Sequence, residues 1–154
     1  MVIAVGVGMG LAAMLFVRRS IDLTEVIQLV DRQEHPHLEQ LPRGVIIYDL
    51  NGPLFFGSAQ KALKSITTVS PEVKVIILDM SDVSMLDMSA IIVMETIVSN
   101  LQKQGVGLVI NNLKPRLILK LRHAEVRRKE GSLDYSRTLH EAIEIVKTSM
   151  LEGM

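Results

Sequence analysis

From Met1 to Val17 the chain carries no charged side chain, and Arg18 and Arg19 follow at once. As a helix this run extends about 26 Å at roughly 1.5 Å per residue, which nearly crosses the ~30 Å hydrocarbon layer of a bilayer. Paired basic residues directly after an apolar run mark the cytoplasmic end of a membrane helix. Residues 1–19 therefore read as the end of a transmembrane helix, with the remainder on the cytoplasmic side. A secretory signal peptide would carry its basic residues before the apolar run and a small-residue cleavage site after it, and this sequence has neither. Gly6 and Gly10, with Gly8 between them, have the small-residue spacing that lets membrane helices approach closely. No strand precedes these glycines, so they do not form a dinucleotide fingerprint. The competing reading is a buried core helix of a soluble protein, since seventeen residues is the short limit for a span.

The rest of the 154 residues suits one domain. Residues 20–42 contain Glu34-His35-Pro36-His37 and Pro42 and read as a linker, with the domain over 43–151. Val45–Leu50 is a short β-rich run, Asn51-Gly52-Pro53 is turn chemistry, and Leu54-Phe55-Phe56 resumes an apolar strand, which together predict a hairpin. A helix follows from about Ala59 to Thr67. Val73–Leu78 and Val106–Ile110 are continuous aliphatic runs, as expected of strands buried on both faces. Between them Asp87 is placed to cap a helix that Gly105 closes. Pro115 suits the first turn of the next helix, and Thr138 and Glu141 have capping-box spacing before a last one. Such alternation predicts an α/β fold with a mixed, mostly parallel sheet and packed helices. Aromatics make up only 3% of the chain against 48% hydrophobic residues, so the core must be aliphatic.

Chemistry has few places to reside. Without cysteine there is no disulfide, thiol nucleophile or thiolate-ligated metal. The loop and helix start formed by Asp79, Ser81, Asp82, Ser84, Asp87, Met88 and Ser89 is the candidate site for an anion, a nucleotide or a partner, because free N–H groups and the helix dipole favour negative charge there. Asp79, Asp82 and Asp87 form no established ligand motif, so no metal and no cofactor are assigned. His140-Glu141 is not followed by the second histidine of a zinc-protease helix. His35 and His37 flank a proline in the linker, and Ser58 has neither an elbow context nor a base. No catalytic residues are assigned. Lys114, Arg116, Lys120, Arg122, Arg127, Arg128 and Lys129 form a basic stretch relieved only by Glu125. It could contact anionic headgroups or an acidic partner, or be a solvated face. It lacks the aromatic residues that stack on bases, and the formal net charge is zero, so nucleic acid is not expected.

Gly44-Val-Ile-Ile-Tyr-Asp-Leu-Asn-Gly-Pro-Leu-Phe-Phe-Gly-Ser-Ala59 resembles the opening hairpin of the STAS domain found at the C-terminus of SulP-type anion transporters. Val75-Ile-Ile-Leu-Asp79 and Met85-Leu-Asp87-Met-Ser-Ala90 resemble its central strand, loop and helix start, and Ala142–Val146 resembles its closing helix. The apolar helix before Arg18-Arg19 is similar to the last membrane helix of those transporters. The resemblance implies an anti-sigma-factor-antagonist-like fold and a cytoplasmic regulatory or interaction domain of a sulfate, bicarbonate or dicarboxylate transporter. Its partners would be the membrane domain of the same transporter and a cytoplasmic regulatory protein. The alternative is a free-standing antagonist that binds a kinase-like anti-sigma factor. In those proteins a phosphorylatable serine or threonine follows the equivalent of Asp87, whereas this chain has Met88. Ser89 has the hydroxyl but lies one position on, roughly 100° around the helix.

Overall fold

The two continuous aliphatic runs lie at the centre of a five-stranded sheet. The computed structural model describes residues 1–22, 25–29, 41–54 and 56–150. Strand β3 (Val75–Asp79) is buried along Val75–Leu78, and β4 (Gly107–Asn111) is buried throughout. They pair in parallel, with β2 (Val45–Asn51) parallel to β3 on one side and β5 (Leu133–Ser136) parallel to β4 on the other. Strand β1 (Glu25–Leu29) adds antiparallel to β2, so the spatial order is β1-β2-β3-β4-β5. Each consecutive parallel pair is joined by a helix: α2 (Phe56–Thr67), α3 (Met88–Lys103) and α4 (Pro115–His123). Parallel crossovers are right-handed, and a sheet that always advances in one direction therefore stacks all three helices on one face.

The burial pattern follows from this. Alternate strand residues point to opposite faces. Leu50, Ile76, Leu78, Leu108 and Ile110 join Ala62 and Ile66 of α2, Ile97 and Leu101 of α3, and Leu117 and Leu121 of α4 in the larger core. Ile47, Val75, Ile77 and Val109 face the other way and are covered by Ala142, Ile143 and Val146. These last residues belong to α5 (Leu139–Ile145) and the wider π-type turns that continue it over Val146–Met150.

At the N-terminal end of the parallel strands, Gly44 has φ +83°, and a Cβ there would stand 3.0 Å from the Glu72 carbonyl oxygen. Only glycine gives the backbone this turn and this approach at no cost. The Gly44 carbonyl in turn accepts hydrogen bonds from the N–H groups of Lys74 and Val75, at 2.7 and 3.2 Å.

Three features differ from the sequence reading. Leu54 does not begin a hairpin strand: it makes one parallel bridge to Leu86, and Phe56 already starts α2. The antiparallel partner of β2 is β1, which lies in the stretch read as linker. β5 had no counterpart among the expected strands, because half of its residues are polar. Phe55 and residues 30–40, including His35 and His37, lie outside the described residues.

Helix α1 (Val2–Asp22) precedes the sheet. Every residue from Met1 to Phe16 is exposed, and none of them is charged. Among the described residues no helix is long and apolar enough to cross a membrane.

Candidate functional site

The sheet places the candidate loop at the C-terminal end of β3. Asp79 closes that strand, and one of its carboxylate oxygens accepts the Ser81 N–H at 2.9 Å. The other accepts the Asn111 side-chain N–H of the neighbouring strand at 2.8 Å. Asn111 Oδ1 then accepts the Ser136 hydroxyl at 2.9 Å, so a polar row crosses β3, β4 and β5. Asn111 and Ser136 are buried, and this row satisfies groups that would otherwise be costly to bury. Asp79 is thus a stitch between strands.

Beyond Asp79 the loop is pinned from beneath and open above. Met80, Val83 and Leu86 are buried, and the Leu54 N–H donates to the Met85 carbonyl at 3.1 Å. Met85 and Met88 are 52% and 72% exposed. Ser81 and Ser89 are half-buried, while Asp82 and Ser84 are exposed. Asp87 caps α3, its Oδ1 accepting the Ala90 N–H at 2.7 Å. That carboxylate sits where an incoming anion would bind, which offsets the attraction of the helix N-terminus. Met88 is the first residue of α3, and Leu86, Met88, Ile91 and Ile92 line a groove of about 660 Å³ that Lys120 and His123 of α4 complete.

The seven basic residues do not form one surface. Lys114 and Arg116 lie at the start of α4, where Lys114 caps without a side-chain hydrogen bond and Arg116 donates to the Ser84 carbonyl at 3.0 Å. Lys120 faces the groove beside α3. Arg122 lies with Lys114 and Arg137 around a second hollow of about 760 Å³. Arg127, Arg128 and Lys129 line a third, of about 540 Å³, against Glu95 and Gln102. Arg128 is held by a 2.9 Å ion pair to Asp134, a carboxylate that is almost fully buried. Arg137 was not among the expected basic residues, since only the position of β5 brings it to Lys114.

Two tyrosines have phenols stabilised in the neutral form. Tyr135 is pushed up to about 12 by burial, with the Arg122 charge pulling weakly the other way, and its hydroxyl donates to the Val126 carbonyl at 2.6 Å. Burial also raises Tyr48, whose hydroxyl donates to the Ser65 carbonyl at 3.2 Å. Among the described residues no three His, Cys, Asp or Glu side chains gather in a way that could hold a metal ion.

A family profile for the STAS domain matches residues 36–142. The chain is 31% identical over 116 residues to "Putative sulfate transporter YvdB" of Bacillus subtilis, a match that covers 74% of this chain and 21% of that protein. The chain thus spans about a fifth of that relative's length. A sulfate transporter family protein from Wolinella succinogenes superposes with a TM-score of 0.60 at 25% identity, covering 73% of this chain and 91% of the other. The SulP transporter STAS domain from Vibrio cholerae superposes with a TM-score of 0.62 at 22% identity, covering 80% and 100%. The anti-sigma factor antagonist SpoIIAA in its unphosphorylated form shares the fold, with a TM-score of 0.55 at 17% identity over 81% and 98%. The chain belongs to the STAS domain family.

Proposed function

We propose that this STAS domain is the cytoplasmic regulatory part of a SulP-type secondary anion transporter, of the sulfate, bicarbonate or dicarboxylate class, and that α1 is the end of the membrane helix that precedes it. The observation that carries this reading is the uncharged surface of α1, exposed at every residue from Met1 to Phe16. Such a surface is stable in lipid and costly in water. Transport sites form between repeated membrane helices near the midplane, so transport itself belongs to a membrane domain outside this chain. The STAS domain contributes contacts rather than chemistry. Its best-placed polar groups, Asp79, Asn111, Ser136 and Asp87, already bond within the fold.

A free-standing, phosphorylation-controlled antagonist would need a hydroxyl at the first position of α3, where Met88 stands. The discriminating experiment is fractionation of the chain carrying a C-terminal fluorescent or phosphatase reporter. The expected result is retention in alkali-washed membranes, with fluorescence and no phosphatase activity. Leu11→Glu with Leu15→Glu should release the chain. Recovery of the unaltered chain in the soluble fraction would overturn the reading.

A further inference from the structure

Strand polarity places the end of α1 and a cationic cluster at the same end of the sheet. β1 begins with Glu25 beside Asn51, the last residue of β2, so β1 starts where the parallel strands finish. Asp22 ends α1 three residues before Glu25, and three residues of chain reach no further than about 11 Å. α1 therefore joins the domain at the C-terminal end of β2–β5. Lys114 and Arg116 stand at that end in the turn into α4, and Arg137 stands there directly after β5. All three are exposed.

The apolar exposure is equally one-sided. Among the described residues outside α1, the exposed large apolar side chains are Met85, Met88, Ile92 and Leu119. Each lies in the loop before α3 or in the first five residues of α3 or α4. The acidic residues at this end are Asp22 and Glu25 at the junction of α1 and β1, Asp49 and Asp79, both half-buried near the ends of β2 and β3, and Asp82, Asp87 and Glu141. Asp87 accepts the Ala90 N–H and Glu141 the Arg137 N–H, at 2.7 and 2.8 Å, so the positive ends of α3 and α5 partly offset both charges. Arg127 and Lys129 lie just before β5, toward the opposite end, and Arg128 is paired with Asp134.

We propose that the C-terminal end of the sheet rests on the membrane surface from which α1 emerges. Lys114, Arg116 and Arg137 meet anionic phospholipid headgroups, and Met85 and Met88 enter the interfacial layer. Cationic side chains gain free energy near an anionic leaflet, and apolar side chains between them gain it at the headgroup boundary. The inference rests on the membrane reading of α1.

The chain has no cysteine, so single cysteines can carry an environment-sensitive fluorophore without background labelling. Labels at Val7→Cys, Ser84→Cys and Gln104→Cys would be compared in vesicles of phosphatidylcholine alone and with added phosphatidylserine, using nitroxide-headgroup lipids as quencher. The Val7→Cys label should be quenched in both. The Ser84→Cys label should be quenched several-fold more in the anionic vesicles, and Lys114→Gln/Arg116→Gln/Arg137→Gln should abolish that difference while Arg127→Gln/Lys129→Gln leaves it. Gln104→Cys, at the opposite end, should stay unquenched. A quenched Val7→Cys label with Ser84→Cys no different from Gln104→Cys, or no effect of the triple substitution, overturns the docking proposal and leaves the membrane reading intact. An unquenched Val7→Cys label overturns the membrane reading and this proposal with it.

Discussion

The two ends of the parallel strands are held together in different ways. At the N-terminal end the backbone closes the structure: Lys74 N–H donates to Gly44, Gly107 N–H to Lys74 and Leu108 N–H to Ser132, at 2.7, 2.9 and 2.9 Å. At the C-terminal end backbone bonds also run between strands, from Met80 N–H to Asn111 and from Asn112 N–H to Ser136 at 3.0 and 2.9 Å, and side chains add to them through the Asp79–Asn111–Ser136 row and the caps made by Asp87 and Thr138. Backbone bonds tolerate most side chains, so the first end depends on sequence mainly at Gly44. The second depends on several named residues, and it also holds the exposed Met85 and Met88 together with Lys114, Arg116 and Arg137. One end is specialised for closure, and the other leaves side chains available for contact.

Substitutions can break this contrast. Gly44→Val should have the largest effect, about 3 kcal/mol in urea unfolding, because it combines a positive φ with a 3.0 Å approach to Glu72. A cost near that of an ordinary surface change would show that the N-terminal end is not so constrained. Asn111→Ala should cost about 2–3 kcal/mol, since it leaves the Asp79 carboxylate and the Ser136 hydroxyl each short of a partner. If it proves neutral in the same measurement, the polar row is not what joins β3 to β5.

Smaller effects sharpen the comparison. Asp87→Ala and Thr138→Ala should each cost about 1 kcal/mol, as lost helix caps do, with hydrogen exchange faster in the first turns of α3 and α5. Tyr135 gives a dependence on pH. Its folded pKa is raised to about 12 from 10.0, so its stabilising contribution is present below pH 10 and lost as pH rises toward 12. Melting temperature should fall across that window, and Tyr135→Phe should make the fall shallower; an unchanged slope would remove Tyr135 from the account. Met88→Gln should have the least effect, within about 0.5 kcal/mol, because the side chain is 72% exposed. A large loss would mean that Met88 packs into the fold and is not available for contact.

Several elements were legible from residues close together in the chain. Asp87 caps α3, Gly105 follows its end with φ +71°, and Pro115 begins α4. Thr138 accepts the Glu141 N–H, while the Glu141 side chain reaches the N–H of Arg137, one residue before the cap. The buried strands β3 and β4 were equally clear, because burial on both faces requires continuous aliphatic sequence. The hairpin failed for a definable reason. Asn51-Gly52-Pro53 signals a change of direction but not what the following residues pair with, and Leu54 pairs with Leu86 rather than with β2. β5 was obscure because Asp134 and Ser136 become acceptable in a buried strand only through Arg128 and Asn111, which come from elsewhere in the chain.

The candidate site divides in the same way. Its loop could be located from the strand, the cap and the intervening polar residues. The basic stretch could be seen but not divided, because sequence distance does not say at which end of a sheet a residue emerges.

By itself, then, the sequence determined the apolar N-terminal helix, the starts of α3, α4 and α5 and the aliphatic strands, since each depends on side-chain chemistry within one or two turns of chain. The tertiary structure decided that β1 pairs with β2, that Asp79 serves Asn111 and Ser136, and that Lys114 and Arg116 share an end with Arg137 while Arg127 and Lys129 do not. These are relations between segments far apart in the chain, and they become definite only when strand order and polarity are set by burying two opposite faces of one sheet.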